Sequence, residues 1–222
     1  MASLLSDRIV IVTGAGGRLG RLVVRDLVAA GARVAALDRE APTGLPDAVL
    51  ALAADVTQEP ATVSAWDQVA STLGAPNALV HAVGMWGGAP LAETTLDAWR
   101  TVLDVNLTSA FLAFREAARR MTDGGRLVAV ASGQGADRGV AEQAAYSAAK
   151  AGIVRLVEAT AAEHADRGLT AVAVAPSTLL FGDEPAAAAG VSADDVAALC
   201  VRLCGPEGAV HTGATLRAYG SA

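Results

Sequence analysis

Tyr146 and Lys150 stand four residues apart in the run Ala144-Ala145-Tyr146-Ser147-Ala148-Ala149-Lys150-Ala151-Gly152, and Ser132 lies fourteen residues upstream. A helix turns once in about 3.6 residues, so positions i and i+4 share a face. The spacing therefore predicts a phenol and an ammonium side by side on an alanine-rich helix, with room for another molecule to approach. A free tyrosine titrates near pH 10. A cation within about 4–6 Å favours the phenolate and lowers that value by roughly one to three units. Tyr146 is thus a candidate general acid/base, and Ser132 a candidate hydrogen-bond donor to a substrate oxygen. On spacing alone, an incidental surface Tyr and Lys explains the pair better. The elements that would position the pair decide the matter.

Short apolar runs alternate with stretches of helical period from end to end. Strands are expected at 9–13, 33–37, 49–53, 78–83, 126–131, 170–175 and 214–217, and helices at 19–30, 59–73, 95–121, 144–167 and 193–203. The strand runs are continuous Val, Ala, Leu and Ile rather than alternating, the pattern of strands buried on both faces. Strand and helix in rotation predict an α/β fold: a doubly wound, Rossmann-type, mostly parallel seven-stranded sheet flanked by helices. No composition shift or repeat marks a boundary, so residues 1–222 are expected to form a single domain. In such sheets ligands bind beyond the carboxyl ends of the strands. That expectation gathers residues 14–20, Asp38, Asp55, 84–86, Ser132 and 176–181 on one working face. Two loops, 85–91 and 177–190, are expected to be irregular.

Composition limits the partners. The chain is 53% hydrophobic and 18% charged, with a net charge of −6 and no basic cluster longer than Arg119-Arg120, which argues against nucleic acid. No apolar stretch approaches the roughly 20 residues of a membrane span. The first residues, Met1 to Arg8, lack the pattern of a secretory signal, so the expected location is the cytoplasm. Cys200 and Cys204 form an i, i+4 pair without histidine or carboxylate partners. They are expected to be buried, reduced thiols, and no metal is expected.

The first strand runs into Thr13-Gly14-Ala15-Gly16-Gly17-Arg18-Leu19-Gly20 and then a helix. Glycines there let the backbone approach a pyrophosphate at a helix N-terminus. Gly14, Gly17 and Gly20 give the spacing T-G-x-x-G-x-x-G. Asp38, twenty-four residues after Gly14, ends the second strand. A carboxylate there suits both ribose hydroxyls of an adenosine and repels a 2′-phosphate, which favours NAD over NADP even with Arg39 beside it.

In their order and spacing these pieces resemble the short-chain dehydrogenases/reductases over essentially the whole chain. The resemblance is carried by the glycine turn, Asp38, Asp55-Val56, residues 99–107, residues 127–132, Tyr146-x-x-x-Lys150, Pro176 and Gly213-Ala214-Thr215-Leu216. It implies hydride transfer between a nicotinamide cofactor and a small-molecule alcohol or carbonyl. Tyr146 would be the acid/base, and Ser132 the partner of the substrate oxygen. Lys150 would bind the nicotinamide ribose and lower the tyrosine pKa, and Asn106 would hold a water linking Lys150 to solvent. The cofactor set it implies is Gly14, Gly17, Arg18, Leu19, Gly20, Asp38, Asp55, Val56, Ala82, Gly84, Tyr146, Lys150, Pro176 and Thr178. Trp86, Leu179, Leu180 and Phe181 would line an apolar outer site, with Arg138 the one exception that could await an anion. The helices at 95–121 and 144–167 resemble those that form four-helix interfaces in the family, implying a homodimer or homotetramer.

The chain also departs from the family's pattern. Arg18 stands where short members usually carry their second glycine, and His81-Ala82-Val83-Gly84 replaces Asn-Asn-Ala-Gly. His81 is expected to be a hydrogen-bonding core residue rather than a catalytic one. Two other readings follow from these departures: a non-catalytic nucleotide-sensing or scaffold protein, and an epimerase or dehydratase with bound NAD, which the chain length disfavours.

Overall fold

The continuous apolar runs become the centre of the molecule. In the computed structural model, which describes residues 4–185 and 188–220, seven strands form one sheet in which every neighbouring pair is parallel. The strands are β1 (Ile9–Thr13), β2 (Arg33–Asp38), β3 (Leu50–Ala53), β4 (Ala78–His81), β5 (Gly125–Val130), β6 (Leu169–Pro176) and β9 (Thr215–Ala218), in the order β3-β2-β1-β4-β5-β6-β9. A two-stranded parallel ribbon, β7 (Leu179–Leu180) with β8 (Val191–Ser192), lies beyond β6. It gives the expected irregular loop at 177–190 a built core. Of that loop's alanine run, Ala186 and Ala187 lie outside the described residues, as do residues 1–3 at the N-terminus.

Side chains alternate across a strand, and toward the C-terminal ends of β5 and β6 the alternation separates valine from alanine. Val128 and Val130 of β5 and Val172 and Val174 of β6 face one side, under α1 (Arg18–Ala29) and α7 (Ala193–Leu203). Ala129 of β5 and Ala171, Ala173 and Ala175 of β6 face the other. That side is covered by α2 (Glu59–Leu73), α4 (Ser109–Arg120) and α6 (Ala144–Glu163). Small residues on this face let α4 and α6 sit close, and α6 carries the Tyr146/Lys150 pair to the sheet's working edge. Cys200 and Cys204 are free thiols fully buried under α7, where loss of solvation pushes both up, Cys200 to about 12.

The expected helix at 95–121 is three pieces. α3 (Leu96–Leu103) is capped by Thr95, whose hydroxyl accepts from Ala98 N at 3.1 Å. A π-helical turn follows at Asp104–Thr108, and α4 then continues. Periodicity does not distinguish one extra residue per turn from an unbroken helix, and π-turns concentrate at functional sites. Asn106 lies inside this turn. The expected helix at 144–167 ends at Glu163, before a 3-10 turn at Ala165–Arg167. A distorted single turn, α5 (Gly133–Ala136), follows β5. A short α8 (Glu207–Val210) precedes β9.

Candidate active site

Five strands end on one cavity of about 980 Å³, and in each case the residue just past the strand lines it: Gly14 after β1, Ala82 after β4, Ala131 after β5, Ser177 after β6 and Tyr219 after β9. The cavity spans the point where strand order reverses between β1 and β4, the switch point of a doubly wound sheet.

Its first wall is the glycine turn. Gly14 has φ +74°, and a methyl there would meet the Ala82–Val83 peptide at 2.8 Å. A methyl at Gly20 would land on the Gly14 carbonyl oxygen, with Ala15 Cα only 2.8 Å away. These glycines pack the start of α1 directly onto the ends of β1 and β4. The Gly16 peptide is pinned from both sides. Its N–H donates to Asp38 Oδ2 at 2.9 Å, and its carbonyl accepts from Arg21 Nε at 2.9 Å. Arg21 also donates to Thr43 O at 2.7 Å, tying the turn to the loop after β2. Arg21 carried no signal beyond being one more helix cation. The second Asp38 oxygen accepts from Arg39 N at 2.8 Å. Each carboxylate oxygen retains acceptor capacity.

The second wall carries the expected chemistry. β5 ends one residue before Ala131-Ser132; Ser132 accepts from Gln134 N at 3.2 Å, lines the cavity together with Tyr146, and pulls the Tyr146 pKa downward. One turn on, Lys150 is 4% exposed, with Nζ 3.1 Å from Val130 O and 5.7 Å from the centre of the Tyr146 ring. Burial lowers Lys150 to about 8, so it is still mainly an ammonium at neutral pH. One of its three N–H donors is used by Val130 O; the others face a cavity edge where Gly84 has no side chain. A methyl on Gly84 would come within 3.1 Å of both Lys150 Nζ and Asn106 Oδ1.

One expectation at this wall changes. Burial raises the Tyr146 pKa, outweighing the downward pull of Ser132. The half-buried Tyr146 side chain therefore rests as the phenol, because loss of solvation disfavours the charged form. Asn106 Oδ1 and Lys150 Nζ flank the same point over Gly84, and the Asn106 side chain is fixed there by backbone. Its amide donates to Met85 O and Val102 O, both at 2.9 Å, and its oxygen accepts from Met85 N at 3.3 Å. Asn106 thus fastens the segment after β4 to the π-turn.

His81 is a fully buried core residue, as expected. Ser109 donates its only hydroxyl proton to Val105 O at 2.6 Å, so at 3.3 Å it accepts from His81 Nε2–H. Nδ1 is then the acceptor of the Thr13 hydroxyl at 2.8 Å. The neutral ring bridges β1, β4 and α4 where the family's first asparagine would stand. Burial, assisted by the Lys150 charge, drives its pKa to about 3.

The cavity brings together Gly14, Gly17, Arg18, Leu19, Gly20, Ala82, Gly84, Trp86, Ser132, Arg138, Tyr146, Lys150, Pro176, Thr178, Leu179 and Phe181. Asp38, Asp55, Val56, Asn106 and Leu180 do not line it. Asp55 is turned onto Thr57, accepting from its N–H at 3.0 Å and its hydroxyl at 2.7 Å, and Val56 packs into the core beside α2. Phe181 is not a bare apolar surface either, for the Arg18 guanidinium lies 3.9 Å over its ring. Opposite, Asp137 accepts from Arg217 Nε at 2.7 Å and from the Tyr219 hydroxyl; both hold it below the usual carboxylate range. Asp137, Gln134 and Tyr219 give the mouth a polar side that the sequence reading missed. Tyr219 was findable, since it follows the last strand; Asp137 had no signal.

The family model described as short chain dehydrogenase matches residues 8–181. This chain belongs to the short-chain dehydrogenase family. Among its relatives is a cis-4-hydroxycyclohexanecarboxylate dehydrogenase of Sinomonas cyclohexanicum, 34% identical over 213 residues, 91% of this chain and 84% of the relative. Another is a 2-dehydro-3-deoxy-L-rhamnonate dehydrogenase (NAD(+)) of Sphingomonas sp. (strain SKA58), 32% identical over 185 residues, 80% of this chain and 74% of the relative. The crystal structure of a candidate short-chain alcohol dehydrogenase from Sinorhizobium meliloti 1021 matches with a TM-score of 0.90, at 26% identity, over 99% of this chain and 98% of its own. In this short-chain dehydrogenase departures from the family's pattern fall at the β1–α1 turn, the end of β4 and the segment after β6, while the Ser132, Tyr146 and Lys150 positions keep the family's residue types.

Proposed function

We propose that the protein is a single-domain, NAD-dependent oxidoreductase that interconverts a small secondary alcohol and its ketone, with Tyr146 as general acid/base. The observation that carries this reading is the grouping of Ser132, Tyr146 and the buried Lys150 ammonium on one wall of a cavity that reaches the glycine turn, with Lys150 Nζ 5.7 Å from the Tyr146 ring centre. The residues fit a dinucleotide: a glycine-rich turn at one end, a carboxylate at the end of β2, and a cation at the other end. Gly14, Gly17, Leu19 and Gly20 would hold the pyrophosphate, Asp38 the adenosine ribose, and Lys150 the nicotinamide ribose. Bound nicotinamide supplies or accepts the hydride.

The chain's own residues do the rest. Ser132 and Tyr146 orient the substrate oxygen, and the Tyr146 hydroxyl delivers its proton to that oxygen as a carbonyl is reduced. The raised Tyr146 pKa keeps it in the phenol form required for that step. In alcohol oxidation the same oxygen takes the proton back. Asn106 acts by holding Met85 and the π-turn beside Lys150. Asp38 favours NAD over NADP, in keeping with the Sphingomonas relative's name. Trp86, Leu179 and Phe181 give the substrate an apolar side, and Gln134 and Arg138 a polar one.

Paired with the Sinomonas relative's name, that mixed lining makes 4-hydroxycyclohexanecarboxylate and 4-oxocyclohexanecarboxylate the first substrates to assay, with cyclohexanol and cyclohexanone beside them. The test follows nicotinamide absorbance with each pair and with NAD(H) or NADP(H). Turnover faster with NAD(H) supports the reading; saturable binding of neither dinucleotide contradicts it. Two unpaired buried cysteines suit a reducing compartment and support a cytoplasmic location. The exposed Phe111 on α4 supports a homodimer or homotetramer through α4 and α6. Light scattering of Phe111→Arg is expected to show a smaller particle than the wild type.

A further inference from the structure

Arg18 is the first residue of α1, at the position where the family usually has a glycine, and its side chain lines the cavity beside Gly17 and Leu19. It does not point away into solvent. Its Nη2 donates to both carboxylate oxygens of Asp183, each at 2.8 Å, and its guanidinium stacks on Phe181 at 3.9 Å. Phe181 and Asp183 belong to one tight turn, closed by Glu184, whose carboxylate accepts from Phe181 N at 2.9 Å and Gly182 N at 3.0 Å. One arginine therefore ties the turn at the cofactor end to the segment that follows β7 at the substrate end.

Two features make this tie exchangeable. The pair is exposed, 57% for the Arg18 side chain and 67% for Asp183, and exposed ion pairs contribute little to stability. Only Nη2 is engaged; Nε and Nη1 have no hydrogen-bond partner among the described residues. A planar guanidinium with free donors, next to a helix N-terminus, matches two phosphate oxygens at least as well as it matches one carboxylate.

We propose that Arg18 is a shared anion fork: Asp183 occupies it in the free protein, and the pyrophosphate of the dinucleotide takes it over, which releases the Phe181–Glu184 turn from the mouth of the site. Cofactor binding and opening of the substrate side are then one exchange of partners on a single guanidinium. The proposal rests on the dinucleotide reading of the cavity.

The test measures dissociation constants for ADP-ribose and adenosine by displacement of NADH fluorescence, in the wild type, Arg18→Ala, Asp183→Asn and the double variant. Asp183→Asn is expected to tighten ADP-ribose about three- to tenfold, and Arg18→Ala to weaken it about tenfold or more. Adenosine, which has no phosphate, is expected to be indifferent to both. In the Arg18→Ala background Asp183→Asn is expected to change nothing, because the carboxylate no longer competes for the fork. Weaker or unchanged ADP-ribose binding in Asp183→Asn overturns the proposal, as does an equal response of adenosine. Failure of the wild type to bind NADH would instead overturn the dinucleotide reading itself.

Discussion

At the β5–α6 end of the cavity the chemistry sits on buried side chains, while at the β1–α1 end it sits on backbone and exposed ion pairs. Lys150 and His81 are desolvated, and their surroundings shift them to about 8 and about 3. Arg18, Asp183 and Arg39 are in solvent, and the order at their end comes from glycines too small to clash and from the Gly16 peptide held between Asp38 and Arg21. The difference bears on how each end tolerates change. A buried titratable group is fixed by everything packed around it, so its residue type is constrained. An exposed cation needs only a free path to an anion, so Arg18 can replace a glycine without disturbing the strands behind it.

The comparison can be broken most forcefully at Gly20. Gly20→Ala puts a methyl against the Gly14 carbonyl, so NADH affinity is expected to fall by more than about 100-fold, roughly 2.7 kcal/mol, with far-UV circular dichroism near wild type. Unchanged affinity would show that the turn does not need its glycines.

His81 tests the buried end. The unfolded chain takes up a proton near pH 6.5, and the folded one not until about 3. Between those values the unfolded state binds more protons, so stability from this site falls as pH falls, by about 1.4 kcal/mol per pH unit. Denaturant titrations of wild type and His81→Asn from pH 7 to 4.5 are expected to converge by that slope. Parallel curves would mean that His81 takes up its proton without unfolding.

A smaller effect is expected at Asp38. Asp38→Ala removes the charge that disfavours a 2′-phosphate, and the ratio of NADPH to NADH affinity is expected to rise about tenfold, or about 1.4 kcal/mol. An unchanged ratio would leave cofactor choice to Arg39 and the loop beyond it. The smallest effect belongs to Thr95, far from either end. Thr95→Ala removes the α3 cap and is expected to cost about 1 kcal/mol of stability with NADH affinity unaltered.

Much of this was legible in the sequence because parallel strands and a four-residue helical spacing are local patterns. The seven strand positions, α2 and α7 follow from runs of Val, Ala and Leu between breakers. The lining residues just past β1, β4 and β6 follow from the strand-end rule. The π-turn at Asp104–Thr108 was not legible, because it costs the pattern only a small phase shift. The reversed Tyr146 shift was hidden for another reason: a cation four residues away is visible in sequence, while the solvent excluded by β5 and the Ser132 loop is a tertiary quantity. Position in sequence did not show that the Asp55 carboxylate folds onto Thr57 or that Val56 packs beside α2. Asp183 and Asp137 were missed because their partners lie 165 and 80 residues away in the chain.

The most direct test of the central claim is a paired measurement on Tyr146→Phe, comparing NADH affinity with turnover of the best alcohol or ketone pair. The account predicts turnover lower by about 10²–10⁴-fold and an NADH dissociation constant within about twofold of wild type. Turnover at a comparable rate would contradict the role given to Tyr146.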